Sequence, residues 1–144
     1  MNNLFKIILI SGPTASGKSS FALKLAKKIN GEIINADSMQ VFKNFRILTA
    51  RPNKKEQKKI KHHLYGVLDL NKKFSTGQWL KSTIKIIKKI RKKHKIPILV
   101  GGTGLYFQSL INGLVKIPEI PFKFRNQIRL IQKKKDKKVF IKTL

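Results

Sequence analysis

The chain contains no cysteine in its 144 residues. Disulfides and thiolate metal sites are therefore excluded, and the composition fits a reducing compartment. Acids are nearly as scarce, with six Asp and Glu against 33 Lys and Arg. No apolar run approaches the roughly 20 residues that a membrane helix needs, so no membrane association is expected. Met1-Asn2-Asn3 leads straight into an apolar stretch, without signal-peptide architecture, and a cytoplasmic location is the expectation.

What is abundant is positive charge, net +27. Such an excess points to a polyanionic partner, most simply nucleic acid. A compositional reading stands beside it. Lys outnumbers Arg 28 to 5, with many Ile and Asn, and AT-rich coding DNA favours all three. The chain is long enough for one domain with a real core, and 41% hydrophobic content is ordinary for a globular protein.

The most specific local signal is Gly12-Pro13-Thr14-Ala15-Ser16-Gly17-Lys18-Ser19. It fits a phosphate cradle: two glycines five positions apart, then Lys and Ser. The apolar run Ile7–Ile10 before it reads as a buried parallel strand, within a strand over residues 4–10. The helix after it spans residues 18–29, with Ala22, Leu25, Ala26 and Ile29 on one face. The glycines let the loop turn its amides inward on an anion, and the helix adds its dipole. Lys18 supplies a charge for the terminal phosphate and Ser19 a hydroxyl for Mg²⁺.

Further along, residues 32–37 read as a short strand ending in Asp37. Lys54 to Lys61 reads as a solvated helix. Ser75 and Gln78 have capping-box spacing and open a helix to about Lys93, with the stripe Leu80, Ile84, Ile87 and Ile90. Trp79 reads as packing. Ile98-Leu99-Val100 is a third buried strand, stopped by Gly101-Gly102. Thr103 is placed to cap a following helix with Phe107, Leu110, Ile111 and Leu114 on one side. Tyr106 and Phe107 read mainly as core, with a ring free to stack on a base as the alternative. Residues 122–142 form a basic, helical segment, and Lys133–Lys138 reads as solvated surface.

Strands alternating with helices give an α/β class, a P-loop NTPase-like parallel sheet with flanking helices. Three strands are few for such a sheet, and the chain ends without a closing element. The expectation is an incomplete core over residues 1–115, leading into a helical insertion over 116–144. The remaining strands would then belong to another polypeptide or be lost.

In open parallel sheets, ligands bind at the carboxyl ends of the strands. Asp37 sits on that edge with the glycine loop. Its readings are general base, water-mediated Mg²⁺ ligand, or a cap through Asp37 or Ser38. The Gly101-Gly102 pair admits two readings: close approach of something bulky to the backbone, or a tight strand-to-helix turn. His62-His63 lacks a third ligand at a recognisable spacing and reads as structural or surface.

Together these segments resemble the tRNA dimethylallyltransferase (isopentenyltransferase) family. The matching residues are Gly12 to Ser19, Asp37-Ser38-Met39-Gln40-Val41-Phe42, Thr49-Ala50-Arg51-Pro52, His62-His63-Leu64 and Gly101-Gly102-Thr103-Gly104-Leu105-Tyr106. The resemblance covers residues 5 to about 115. It implies transfer of a dimethylallyl group from dimethylallyl diphosphate to N6 of the adenosine 3′ of the tRNA anticodon. Thr14 to Ser19 would bind the diphosphate with Mg²⁺. Asp37 would accept the N6 proton. Asp37, Ser38, Met39 and Gln40, with Thr103 and Arg125, would contact the anticodon stem-loop. A complete protein of this kind would be a monomer.

The chain departs from the family pattern at Leu48 (usually Gly), Arg51 (usually Lys) and Phe42 (usually Tyr), and it is about half the family's length. Competing readings are a small-molecule kinase using ATP at the same loop, an RNA-binding remnant without turnover, and prenylation of free adenine nucleotides.

Overall fold

In the computed structural model, residues 6–115 and 120–134 are described. The expected ends at residues 4–5, Pro118 and the stretch beyond Lys134 lie outside them. Chain contacts divide the molecule into two compact units, Met1–Leu114 and Val115–Leu144.

The first unit holds strands β1 (Ile8–Ser11), β2 (Gly31–Asn35), β3 (His62–His63) and β4 (Ile96–Gly101). Its helices are α1 (Lys18–Lys28), α2 (Lys54–Lys59), α3 (Thr76–Arg91) and α4 (Gly104–Asn112). The sheet order is β1-β4-β2-β3, and every pairing is parallel. Among the described residues, four strands replace the three expected. The added one is the His62-His63 pair, pairing in parallel with Ile33 and Ile34. Two residues are too short a run to show alternation in a sequence.

The sheet is covered on both faces, and alternation along the strands divides the core. Ile33, Ile98 and Val100 pack with Ala22 and Ala26 of α1. Ile34 and Leu99 pack on the other side with Trp79, Ile87 and Ile90 of α3 and with Tyr106 and Phe107 of α4. Burying each large aliphatic side chain contributes about 1.5–3 kcal/mol. The expected α1 face is confirmed: Ala22 and Ala26 are buried, while Leu25 and Ile29 pack around them.

The α3 stripe needs correction. Its buried residues are Trp79, Thr83, Ile87 and Ile90, while Ile84 is exposed. Trp79 packs as expected, and its size rotates the buried face toward itself. The Ser75–Gln78 capping box is present, with both reciprocal bonds made. In α4 the buried residues are Tyr106, Phe107 and Ser109, whereas Ile111 and, past the helix end, Leu114 are exposed. Tyr106 lies flat on Trp79, with ring centroids 4.2 Å apart and planes 11° apart. One face of the ring considered for base stacking is thus taken by the core.

At the amino end of β2, the carboxylate of Glu32 is buried between His63 Nε2 (2.7 Å) and Lys95 Nζ (3.2 Å). Burial opposes its charge, but the bonds from His63 and Lys95 prevail and hold its pKa below the ordinary value. Burial lowers His63 more than Glu32 raises it.

The second unit contains α5 (Phe122–Lys134), a basic helix that also exposes Phe122, Phe124 and Leu130.

Candidate active site

The loop between β1 and α1 is shaped by two residues in the left-handed region, Ala15 (φ 64°) and Gly17 (φ 79°). Gly17 caps α1 with no side-chain bond to its amides, and the first turn of α1 has no acid. The unpaired amides of that turn therefore face the loop, with the positive end of the dipole behind them. Ser16 N donates to Pro13 O at 3.4 Å, closing the loop on itself. Lys18 Nζ donates to the same carbonyl.

Asp37 reaches this place from β2. The strand ends at Asn35, short of the expected Asp37, although the Ala36 amide still donates to Val100 O (2.8 Å). Asp37 Oδ1 accepts from Met39 N at 2.9 Å. No helix follows, so this bond forms an isolated turn rather than the helix cap considered from sequence. The Asp37 backbone is held by Asn35. Its Oδ1 accepts from Asp37 N (2.9 Å), and its Nδ2 donates to Asp37 O (2.9 Å) and Leu64 O (3.1 Å). Asn35 is fully buried, and its own carbonyl accepts from Trp79 Nε1 at 2.9 Å. Sequence reading missed Asn35. The available signal was an amide side chain directly after the apolar pair Ile33-Ile34.

Gly101 explains how β4 and this segment come so close. A Cβ there would lie 2.1 Å from the Ala36 carbonyl carbon and oxygen and 2.7 Å from Asp37 N. The close approach read from Gly101-Gly102 is therefore made by the chain's own backbone. Thr103 precedes α4 in extended conformation but makes no side-chain cap bond, contrary to expectation. Its Oγ1 instead accepts from Ser38 N (2.9 Å) and donates to Ser38 Oγ (3.3 Å).

One cleft of about 540 Å³ gathers Thr14 to Ser19 with Asp37, Met39, Gln40 and Leu48 to Ala50. Lys18, Ser19 and Asp37 thus share one rim. Gln40 Nε2 donates to Thr49 O (2.8 Å), tying the wall to the strand end. Arg51 braces the same wall by donating from Nη1 to Phe42 O (2.9 Å) and from Nη2 to Lys43 O (3.3 Å). Its guanidinium occupies the space where a Gly66 side chain would begin, 1.9 Å from that Cβ position. Leu48 is exposed on the cleft side, where it adds apolar surface. Burial and the charge of Asp37 together push the Tyr65 and Tyr106 hydroxyls above their ordinary range. Both are therefore neutral neighbours of the carboxylate.

Of the other residues singled out, Gly12 and Pro13 form the loop's base outside the cleft wall, and Ser38 bonds to Thr103 rather than lining the cleft. Arg125 stands in α5, with its amide donating to Pro121 O (3.2 Å), and belongs to the second unit. His62 Nδ1 meets Ile60 O at 2.7 Å and His63 meets Glu32, as a structural reading of the pair requires. Among the described residues, no group of three His, Cys, Asp or Glu could hold a metal ion. The donors present are the Ser19 hydroxyl and the Asp37 carboxylate, hard oxygens that suit an Mg²⁺ whose remaining positions are filled by substrate phosphates and water.

A family model described as IPP transferase matches residues 40–144, a span that begins just after Asp37. The tRNA dimethylallyltransferase of Pelagibacter ubique (strain HTCC1062) is 76% identical over 144 residues, covering 100% of this chain and 46% of that protein. The crystal structure of a tRNA isopentenylpyrophosphate transferase from Staphylococcus epidermidis aligns with a TM-score of 0.70 and 42% identity, over 89% of this chain and 41% of that one. A eukaryotic dimethylallyltransferase acting on tRNA aligns with a TM-score of 0.76 and 35% identity, over 85% of this chain and 31% of that one. The chain spans less than half the length of the relatives it matches. The fold is the P-loop NTPase-like α/β sheet of those structures, and the chain belongs to the IPP transferase family of tRNA dimethylallyltransferases.

Proposed function

We propose that this chain carries the diphosphate-binding and proton-accepting part of a tRNA prenyltransferase site. The observation that carries the reading is that the glycine loop, Lys18 and Asp37 line one cleft. The reaction is transfer of a dimethylallyl group from dimethylallyl diphosphate to N6 of the adenosine 3′ of the anticodon.

The allylic C1–O bond breaks and its electron pair leaves with pyrophosphate. The C1–N6 bond forms, and the N6 proton passes to the Asp37 carboxylate. Lys18 and the amides of the α1 turn neutralise charge growing on the leaving group, where fixed donors are most effective. Asp37 helps a weakly nucleophilic aromatic amine by accepting its proton. Ser19 would hold Mg²⁺ together with diphosphate oxygens, and the ion supplies further charge neutralisation when bound. Met39 and Gln40 form the wall toward the acceptor base. Ser38 and Thr103 fix the backbone beneath it, with Arg125 a further tRNA contact. The base must leave its stack to enter, at a cost of a few kcal/mol. The lysines exposed on α2 and α3 suit the anticodon-stem phosphates. Residues 1–115 would be the core and 116–144 the start of a tRNA-binding insertion, acting in the cytoplasm.

The net charge of +27 favours one alternative, a module that binds diphosphate and tRNA without turnover. Incubating the chain with unmodified tRNA, dimethylallyl diphosphate and Mg²⁺ decides between them. Prenylated adenosine supports the transferase. Salt-dependent tRNA binding without product supports the module. Thermal protection by ATP but not by dimethylallyl diphosphate would overturn both in favour of a kinase-like site.

A further inference from the structure

We infer that Asn35 is a positioning residue for the Asp37 carboxylate. The inference rests on the reading of Asp37 as proton acceptor. Asn35 is fully buried at the end of β2, and its side-chain amide is satisfied by main-chain groups of Asp37 and Leu64. Its oxygen accepts from the Asp37 amide, and its nitrogen donates to the Asp37 and Leu64 carbonyls, all within 2.9–3.1 Å. A planar amide bonded at both ends leaves the Asp37 backbone little rotational freedom. The carboxylate then finds its position through the Met39 amide (2.9 Å).

The choice of asparagine follows from donor and acceptor geometry. The site needs one acceptor for an N–H and two donors for carbonyls, which a primary amide alone supplies in this volume. Aspartate would keep the acceptor but set a charged oxygen against two carbonyl oxygens. Alanine would remove all three bonds. Leu64 directly follows β3, so Asn35 also ties the Asp37 segment to the edge strand. The Asn35 side chain therefore joins two chain segments, one of which carries the carboxylate of the cleft.

The test follows Asp37 geometry directly, in the chain as it exists, by NMR. Asn35→Ala and Asn35→Asp are compared with wild type by amide exchange of Met39 N–H, by the Asp37 side-chain couplings, and by exchange of the Trp79 indole N–H. The indole bonds to the Asn35 main-chain carbonyl, so it reports the core and survives both substitutions. We expect Met39 N–H exchange to rise by about tenfold, the worth of one hydrogen bond, and the Asp37 couplings to average. The Trp79 indole should stay within about twofold of wild type. Unchanged Met39 exchange and Asp37 couplings in both variants would overturn the inference. So would equal acceleration at Met39 and Trp79, or failure of both variants to unfold cooperatively, since Asn35 would then be a core residue only. Separately, normal prenyl transfer by Asp37→Asn would remove Asp37 as the base while leaving this geometric test intact.

Discussion

The ammonium of Lys18 is folded back onto the carbonyl oxygen of Pro13, inside the loop that it follows. That carbonyl accepts from Ser16 N as well, so the lysine competes for an oxygen already engaged. An arriving diphosphate offers better acceptors in the same cleft. Lys18→Ala should therefore weaken pyrophosphate binding about 10- to 100-fold, the worth of one or two charge-assisted bonds. Calorimetric titration with Mg²⁺-pyrophosphate checks this. An unchanged affinity would mean that the loop does not bind phosphate.

The fit between Gly101 and Ala36 gives a second prediction. A methyl group on Gly101 cannot share space with a carbonyl 2.1 Å away, and backbone atoms do not swing aside as side chains do. Gly101→Ala must push β4 away from the segment carrying Asp37. Overpacking of this kind costs about 1–3 kcal/mol, or a fall in Tm of roughly 5–15 °C for a domain of this size. A thermal melt within about 2 °C of wild type would show that the strands separate at little cost.

How much of this was legible beforehand depended on whether a residue's partner was near in sequence. The glycine loop, the α1 face and the Ser75–Gln78 box are local patterns, and each took the form read from the chain. The turn of α3 was misread because Trp79 outweighs Ile84 in the contest for the core, and a hydrophobic stripe does not weigh ring size. Thr103 looked like a cap because caps are local; its partner, Ser38, lies 65 positions away. Asn35 and β3 were hidden for the same reason. Their partners come from separate segments, and a two-residue strand carries no period.

Acid should weaken the fold in two steps. Burial lowers the pKa of His62 and of His63 below the ordinary 6.5. The unfolded chain then binds protons first as pH falls through 6.5, so stability present above that value declines below it. Glu32 is also lowered, from 4.5, and its contribution is lost at lower pH still. Melts between about pH 8 and pH 5 should show Tm falling with acidity. A His62→Gln/His63→Gln variant should have a lower Tm at neutral pH and a flatter profile. A profile as steep as wild type would place the sensitivity elsewhere.

Trp79 separates stability from phosphate binding. It stacks on Tyr106 and donates to the buried carbonyl of Asn35, both on the sheet face covered by α3 and α4. The loop amides belong to α1, which packs on the opposite face. Trp79→Phe keeps an aromatic ring but leaves the Asn35 carbonyl without its donor and shrinks a filled space. The combined cost is about 2–4 kcal/mol. Mg²⁺-pyrophosphate affinity, measured well below the lowered Tm, should stay within about threefold of wild type, because the sheet lies between the cavity and α1. Loss of pyrophosphate binding alongside stability would mean that the two faces are coupled through Asn35 and Asp37. In that case the carboxylate, and not the loop alone, would contribute to seating the diphosphate and its ion.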